Sequence, residues 1–219
     1  MNSPPECLPN PTDLWVEEKQ LFRQFSRIAG VDEAGRGPLA GPVVAASVSA
    51  TKITLISGVN DSKQLTSLQR KKLLDQILSH PDLEVGIGEC SHEEIDEHNI
   101  LQASLLAFFK AVKQLKNPPD YCLLDGNQKC RHIEVPQKAL VKGDARSFLI
   151  AAASIVAKET RDRIMEEHDK TWPEYGFAKH KGYPTKVHLQ ALEKYGPCPI
   201  HRKTFAPVRI VLESGRGLS

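Results

Sequence analysis

The chain has 219 residues, 40% of them apolar and 26% charged, and a formal net charge of +2, the profile of an ordinary globular protein long enough to bury a sizeable core. No apolar run approaches the ~20 residues of a membrane span, and the Pro-rich start, Met1 to Glu6, lacks the order of a signal peptide; the expected location is the cytoplasm. Cys7, Cys90, Cys122, Cys130 and Cys198 are scattered without a CxxC pair, which argues against a disulfide framework and against a zinc site.

Residues 1–11 read as a tail. Thr12-Asp13 can cap a short helix carrying Leu14, Trp15, Leu21, Phe22 and Phe25. Two strands follow, at about 28–33 and 43–50, joined by a turn with no helical pattern, which predicts antiparallel neighbours. Asn60-Asp61-Ser62-Lys63 is turn chemistry, and Thr66 opens a helix on Leu73, Leu74, Ile77 and Leu78. Leu83, Val85 and Ile87 alternate with Glu84, Gly86 and Gly88 as a third strand. Asn99 is placed to cap a helix through Leu101, Leu105, Phe108, Val112 and Leu115, stopped by Pro118-Pro119. A strand at Tyr121–Leu124 ends in Asp125-Gly126-Asn127, and one near 138–141 ends in Lys142-Gly143-Asp144. A long helix over about 147–169 is rich in small residues, Ala151-Ala152-Ala153-Ser154, that let it lie close to a sheet. After Pro173 the pattern gives loops and one helix, about 185–194. The predicted class is α/β, a mixed central sheet flanked by helices. The predicted division is a leader with a short helix (1–26), a core (27–170) and a basic helical portion (171–219) packed on it as one structural unit.

The chemistry gathers at strand ends. Ile28 to Val31 runs into Asp32-Glu33 and then a Gly/Pro turn, Gly35-Arg36-Gly37-Pro38; Asp125 and Asp144 also follow apolar runs. In an open α/β sheet such ends gather on one side. Carboxylates brought together there repel one another unless a cation is present, and hard oxygen donors without Cys or His select Mg²⁺ or Mn²⁺. Taken singly, Asp125-Gly126-Asn127 is a plain turn and Asp144 a helix cap; the joint occurrence carries the metal reading. A nucleotide-binding turn fits poorly, because Gly35, Gly37 and Gly41 miss its spacing and two acids precede them. From Lys179 to Arg209 seven cations face a single acid, Glu193, with Tyr183, Tyr195 and Phe205 among them. That is either a phosphate-backbone footprint or a solvated charged face. His180, His188 and His201 are spaced irregularly for zinc and read as phosphate contacts or plain surface.

At Gly30-Val31-Asp32-Glu33-Ala34-Gly35-Arg36-Gly37-Pro38-Leu39-Ala40-Gly41-Pro42 the sequence resembles type 2 ribonuclease H, the bacterial ribonuclease HII family. Asn60-Asp61-Ser62-Lys63, Leu124-Asp125-Gly126-Asn127, Val141-Lys142-Gly143-Asp144, the Ala151-to-Lys158 run with Thr160-Arg161-Asp162, and His180-Lys181-Gly182-Tyr183-Pro184-Thr185 match it in order. The resemblance implies an RNase H-like fold with a C-terminal helical portion. It implies metal-dependent cleavage of RNA in RNA–DNA hybrids and 5′ of single ribonucleotides in duplex DNA, leaving 3′-hydroxyl and 5′-phosphate ends. Asp32, Glu33, Asp125 and Asp144 would hold two Mg²⁺ or Mn²⁺ ions. Gly35, Arg36 and Gly37 would contact the ribose 2′-hydroxyl and its phosphate, and Tyr183 the ribose–deoxyribose step. Lys63, Lys142, Lys158 and Arg161 are candidate phosphate contacts, with a solvated face the alternative for Lys158 and Arg161; Asp162 reads as a structural salt-bridge partner or, second, as support behind the site. Arg36, where type 3 enzymes usually carry Lys, and the short leader favour type 2. A monomer is expected. The rival readings are a non-catalytic nucleic-acid-binding module and another RNase H-like nuclease blind to the 2′-hydroxyl.

Overall fold

The structure, a computed structural model, describes residues 13–54, 56–60 and 62–215, and the backbone alone of Asp13 and Lys63. The predicted tail and Asp61 lie outside the described residues. Five strands, β1 (Ile28–Ala34), β2 (Val43–Ala50), β3 (Leu83–Cys90), β4 (Tyr121–Asp125) and β5 (Gln137–Leu140), form one sheet in the order β3-β2-β1-β4-β5. β1 pairs antiparallel with β2, and β2 with β3, while β4 and β5 join in parallel. The mixed sheet is the one expected from sequence.

Every residue of β2 is buried because helices cover both faces of the sheet. Helix α4 (Phe148–Thr171) covers one face with Leu149, Ile150, Ala152, Ala153 and Val156, packed with Ile28, Val48 and Leu123. Helix α3 (His92–Lys113) covers the other with Ala103, Ala107, Phe108 and Ala111, against Val31, Val43 and Leu124. In β3 the alternation holds, but the buried side is Gly86, Gly88 and Cys90, with Ile87 exposed. The small side is turned inward there because α3 crosses it closely.

Helix α1 (Val16–Leu21) stands before the sheet, where Trp15 stacks on Phe148 at a centroid distance of 4.5 Å. Helix α2 (Ser67–Ser79) starts at Thr66, whose side chain and Gln69 cap each other's backbone amides. Asn99 does cap, as its spacing predicts, but in mid-helix. With φ 66° it breaks α3, and its Oδ1 accepts the amides of Leu101 and Gln102. A separate turn capped by Ser91 and Glu94 precedes it. Beyond α4 the chain forms α5 (Phe177–His180), α6 (Lys186–Tyr195) and α7 (Ala206–Glu213), of which the sequence predicts α6 alone. Met165, Tyr175, Phe177 and Ile200 pack on Ala40, which also bridges to His201. Cys90, Cys122, Cys130 and Cys198 are free thiols. Among the described residues no helix is long and apolar enough to cross a membrane.

Candidate active site

The parallel pairing of β1 with β4 brings two carboxylates side by side. Val31 is registered with Leu124, and the next residue on each strand is an aspartate, Asp32 and Asp125. Side chains alternate along a strand, so Asp32 shares the α4 face with Ile28, and Asp125 shares it with Leu123. Asp32 is 5% exposed. Burial, and then the neighbouring Glu33 and Asp125 carboxylates, push its pKa well above the usual carboxylate range. The hydroxyl of Ser154 on α4 and the amide of Glu33, at 2.7 Å, oppose that shift by donating to it. The Ser154 hydroxyl also lies 2.8 Å from that of Ser62, so the two serines form a hydrogen-bonded pair behind Asp32. Asp125 accepts the amide of Gly143 at 2.7 Å, which ties β4 to the 3₁₀ turn Gly143–Ala145 where Asp144 lies buried.

A cavity of about 460 Å³ opens beside these groups, lined by Asp32, Glu33, Asp125, Gly35, Arg36, Gly37, Ser62, Arg70, Ser154, Lys158 and Tyr183. Asp32, Glu33, Asp125, the Gly35–Gly37 turn, Lys158 and Tyr183 meet as the sequence predicts; Ser62, Ser154 and Arg70 join them without having been singled out. Arg36 reaches Glu33 at 3.3 Å and is otherwise half exposed. Tyr183 is 42% exposed, and a Cβ at Gly37 would stand 3.5 Å from its ring. Lys158 pairs with Asp162 at 2.7 Å, the structural partnership expected of Asp162. Arg70 is held by Glu159 at 2.6 Å and donates to the carbonyl of Leu65 at 2.7 Å.

Several predicted contacts stand elsewhere. Asp144 is not among the groups lining the cavity; it sits just behind Gly143 at the end of the neighbouring strand. Lys142 is exposed, in a left-handed conformation, away from the cavity. The side chain of Lys63 lies outside the described residues. Arg161 is no phosphate contact. It is 1% exposed, and its guanidinium donates to the carbonyls of Pro42 (2.9 Å), Lys181 (2.9 Å) and Ala40 (3.1 Å). Arg202, counted from sequence in the basic footprint, is fully buried, and Lys181 pairs with Glu166. His188 and His201 are also fully buried, 3.1 Å apart, and not surface groups. Gly35 is needed for two reasons. Its φ is +101°, and a Cβ there would lie 2.1 Å from Arg161 Nε.

The description "Ribonuclease HII" belongs to the family model that matches residues 29–208. The chain is 49% identical over 205 residues to ribonuclease HII of Chlamydia trachomatis serovar A, covering 91% of this chain and 94% of that one. It is 52% identical over 197 residues to the Geobacter metallireducens ribonuclease HII, covering 90% and 92%. The chain belongs to the ribonuclease HII family. Among solved structures, ribonuclease H2 from Pyrococcus horikoshii superposes with a TM-score of 0.72 at 31% identity, over 86% of this chain and 98% of that one. The chain is therefore a ribonuclease H, a nuclease with activity on RNA–DNA hybrids, on an RNase H-like α/β fold.

The carboxylates of this ribonuclease H suit a divalent cation. Asp32 is buried against two further carboxylates, so a divalent ion would relieve the repulsion that raises its pKa. Oxygen-only donors match Mg²⁺ or Mn²⁺. Among the described residues no three His, Cys, Asp or Glu side chains are gathered closely enough to hold an ion by themselves. An open site is what Mg²⁺ ordinarily uses, since it takes one or two carboxylates and completes its shell with water and substrate phosphate.

Proposed function

We propose that this ribonuclease H cuts the RNA strand of hybrids and also cuts 5′ of a single ribonucleotide in duplex DNA, leaving 3′-hydroxyl and 5′-phosphate ends. The observation that carries the reading is one cavity in which Asp32 and Asp125 share walls with the Gly35–Gly37 turn and Tyr183. Asp32, Glu33 and Asp125, together with Asp144 from the turn behind Gly143, would hold two Mg²⁺ or Mn²⁺ ions. Such ions supply Lewis acidity at the scissile phosphate when bound.

The remaining work belongs to the chain. Ser154 fixes the Asp32 carboxylate, and the Gly143 amide fixes that of Asp125, so both are held before substrate arrives. Arg36 can pivot from Glu33 to a substrate phosphate, and Lys158 supplies a second cation on the cavity wall. The backbone at Gly35–Gly37 comes near enough to meet a ribose 2′-hydroxyl, the group that separates RNA from DNA. Tyr183 offers a flat face to the adjoining sugar.

The test is a duplex with one internal ribonucleotide, beside an all-DNA control and a long hybrid, in Mg²⁺ or in EDTA. A single cut 5′ of the ribonucleotide, dependent on the ion and absent from the control, is expected. Cleavage of the hybrid alone would restrict the activity to runs of RNA, and cleavage in EDTA would refute the metal reading.

A further inference from the structure

Beneath the turn that lines the cavity lies a second arginine, brought there from the far end of the chain. Arg202 is fully buried, and its guanidinium donates to four sites on one loop. The acceptors are the carbonyls of Gly35 (2.6 Å), Arg36 (3.1 Å), Gly41 (3.0 Å) and Pro42 (3.0 Å). It lies against the ring of Phe205, 5.1 Å from the centroid. Among the described residues it forms no ion pair, and neither does Arg161 beside it. Asp96 and Asp162 act on them only from beyond ion-pair distance, and two buried guanidiniums without a carboxylate in contact are costly. Burial, and then for Arg202 the charge of Arg161, lowers their pKa values to about 9 for Arg202 and about 10 for Arg161. A loop that needed only to be closed could be closed with apolar packing, so the cost points to a task that carbonyl anchoring performs.

The geometry of the peptide supplies that task. No cis peptide occurs among the described residues, and in a trans peptide the carbonyl of one residue and the amide of the next point opposite ways. Drawing the Gly35 and Arg36 carbonyls inward toward Arg202 turns the amides of Arg36 and Gly37 outward. Both residues are exposed and line the cavity, and among the described residues neither amide meets a protein acceptor. We propose that Arg202 is a specificity-determining positioning residue: by gripping the Gly35 and Arg36 carbonyls it aims the Arg36 and Gly37 amides at the sugar–phosphate unit, and so sets the preference for ribose over deoxyribose. The proposal rests on the reading above that this turn faces the ribose. Only arginine suits the role, because its fork of five donors reaches several carbonyls at once, whereas a lysine ammonium radiates three donors from one point.

The experiment measures binding, in EDTA and at fixed salt, of two duplexes identical but for one ribonucleotide. The protein carries Asp125→Asn to prevent cleavage, with and without Arg202→Lys. Phosphate contacts are common to both duplexes, so the ratio of the two Kd values isolates the sugar. Arg202→Lys keeps the charge and should lower that ratio about tenfold, the scale of two well-made hydrogen bonds. A folded Arg202→Lys protein with an unchanged ratio would overturn the proposal. A ratio near one already in the Asp125→Asn protein would instead put the ribose reading itself at fault. If Arg202→Lys does not fold, the amide resonances of Arg36 and Gly37 in the Asp125→Asn protein decide. Larger shifts with the ribonucleotide duplex than with all-DNA sustain the proposal, and equal shifts reject it.

Discussion

Asp125 Oδ1 accepts the amide of Gly143 at 2.7 Å, and through that one bond the end of β4 fixes the turn that carries Asp144. Two carboxylates 19 positions apart in sequence are thereby held as neighbours by backbone and not by each other. The same bond separates the structural task of Asp125 from its charge.

Asp125→Asn should keep the fold and lose the reaction. The amide oxygen of Asn can still accept from Gly143, so the melting temperature should stay within a few degrees of the parent. Single-turnover cleavage of a hybrid should fall about 10³-fold or more, the scale at which groups acting as one unit fail together. Cleavage at the parent rate would remove Asp125 from the metal set.

Mn²⁺ should raise the melting temperature of the free protein, because an ion that binds the folded chain stabilises it by mass action. The shift should shrink in Asp32→Asn and in Asp125→Asn. A shift of the same size in all three proteins, followed by scanning calorimetry, would place the ion elsewhere.

Glu18 gives a stability term that runs against pH. It is fully buried and accepts from the Ser147 hydroxyl at 2.6 Å and the Leu149 amide at 3.1 Å, at the start of α4. Burial, opposed by those two bonds, raises its pKa from 4.5 to about 7. The folded chain therefore holds the proton more tightly than the unfolded one, and stability falls as pH rises from 4.5 to about 7. Urea unfolding at both ends of that window should show Glu18→Gln gaining on the parent toward high pH, by up to about 3 kcal/mol. A constant difference would contradict the raised pKa.

His188 and His201 should stay neutral well below the usual histidine range. His188 Nδ1 donates to the Tyr183 carbonyl at 3.0 Å, which leaves its Nε2 to accept from His201 Nε2 at 3.1 Å. His201 Nδ1 then accepts the Cys198 amide at 3.0 Å. Burial lowers the two pKa values to about 4 and about 3. The unfolded chain takes up these protons first, so their contribution is present above pH ~6.5 and is lost as pH falls toward the folded values. Imidazole resonances of both rings should show no titration between pH 7 and 5; a midpoint near 6.5 for either would disprove the buried pairing.

Gly30→Ala should cost at least about 2 kcal/mol, because the new methyl has nowhere to go. Its carbon would lie 2.3 Å from the Leu149 carbonyl carbon and 2.4 Å from the Ile150 nitrogen, both backbone. The first turn of α4 would have to lift from β1 two residues before Asp32. Denaturation midpoints should show the loss, with activity falling beyond it; a neutral substitution would mean α4 sits farther from the sheet.

What the sequence determines by itself is local. The strands that lead to Asp32-Glu33, Asp125 and Asp144 are legible because apolar runs and turn residues write them in a few consecutive positions. Asn99 is legible as a cap for the same reason, and the small residues of α4 announce a close helix–sheet contact. The tertiary structure alone decided the rest. That Asp32 stands beside Asp125 follows from a parallel register between strands 93 positions apart, and nothing local encodes a register. Arg161 and Arg202 look like surface cations in the sequence, since neither has an acid at helical spacing that would betray burial. Apart from the Lys181 carbonyl, their partners are backbone carbonyls of a loop more than 100 positions away, and carbonyls belong to every residue and so leave no mark in a sequence.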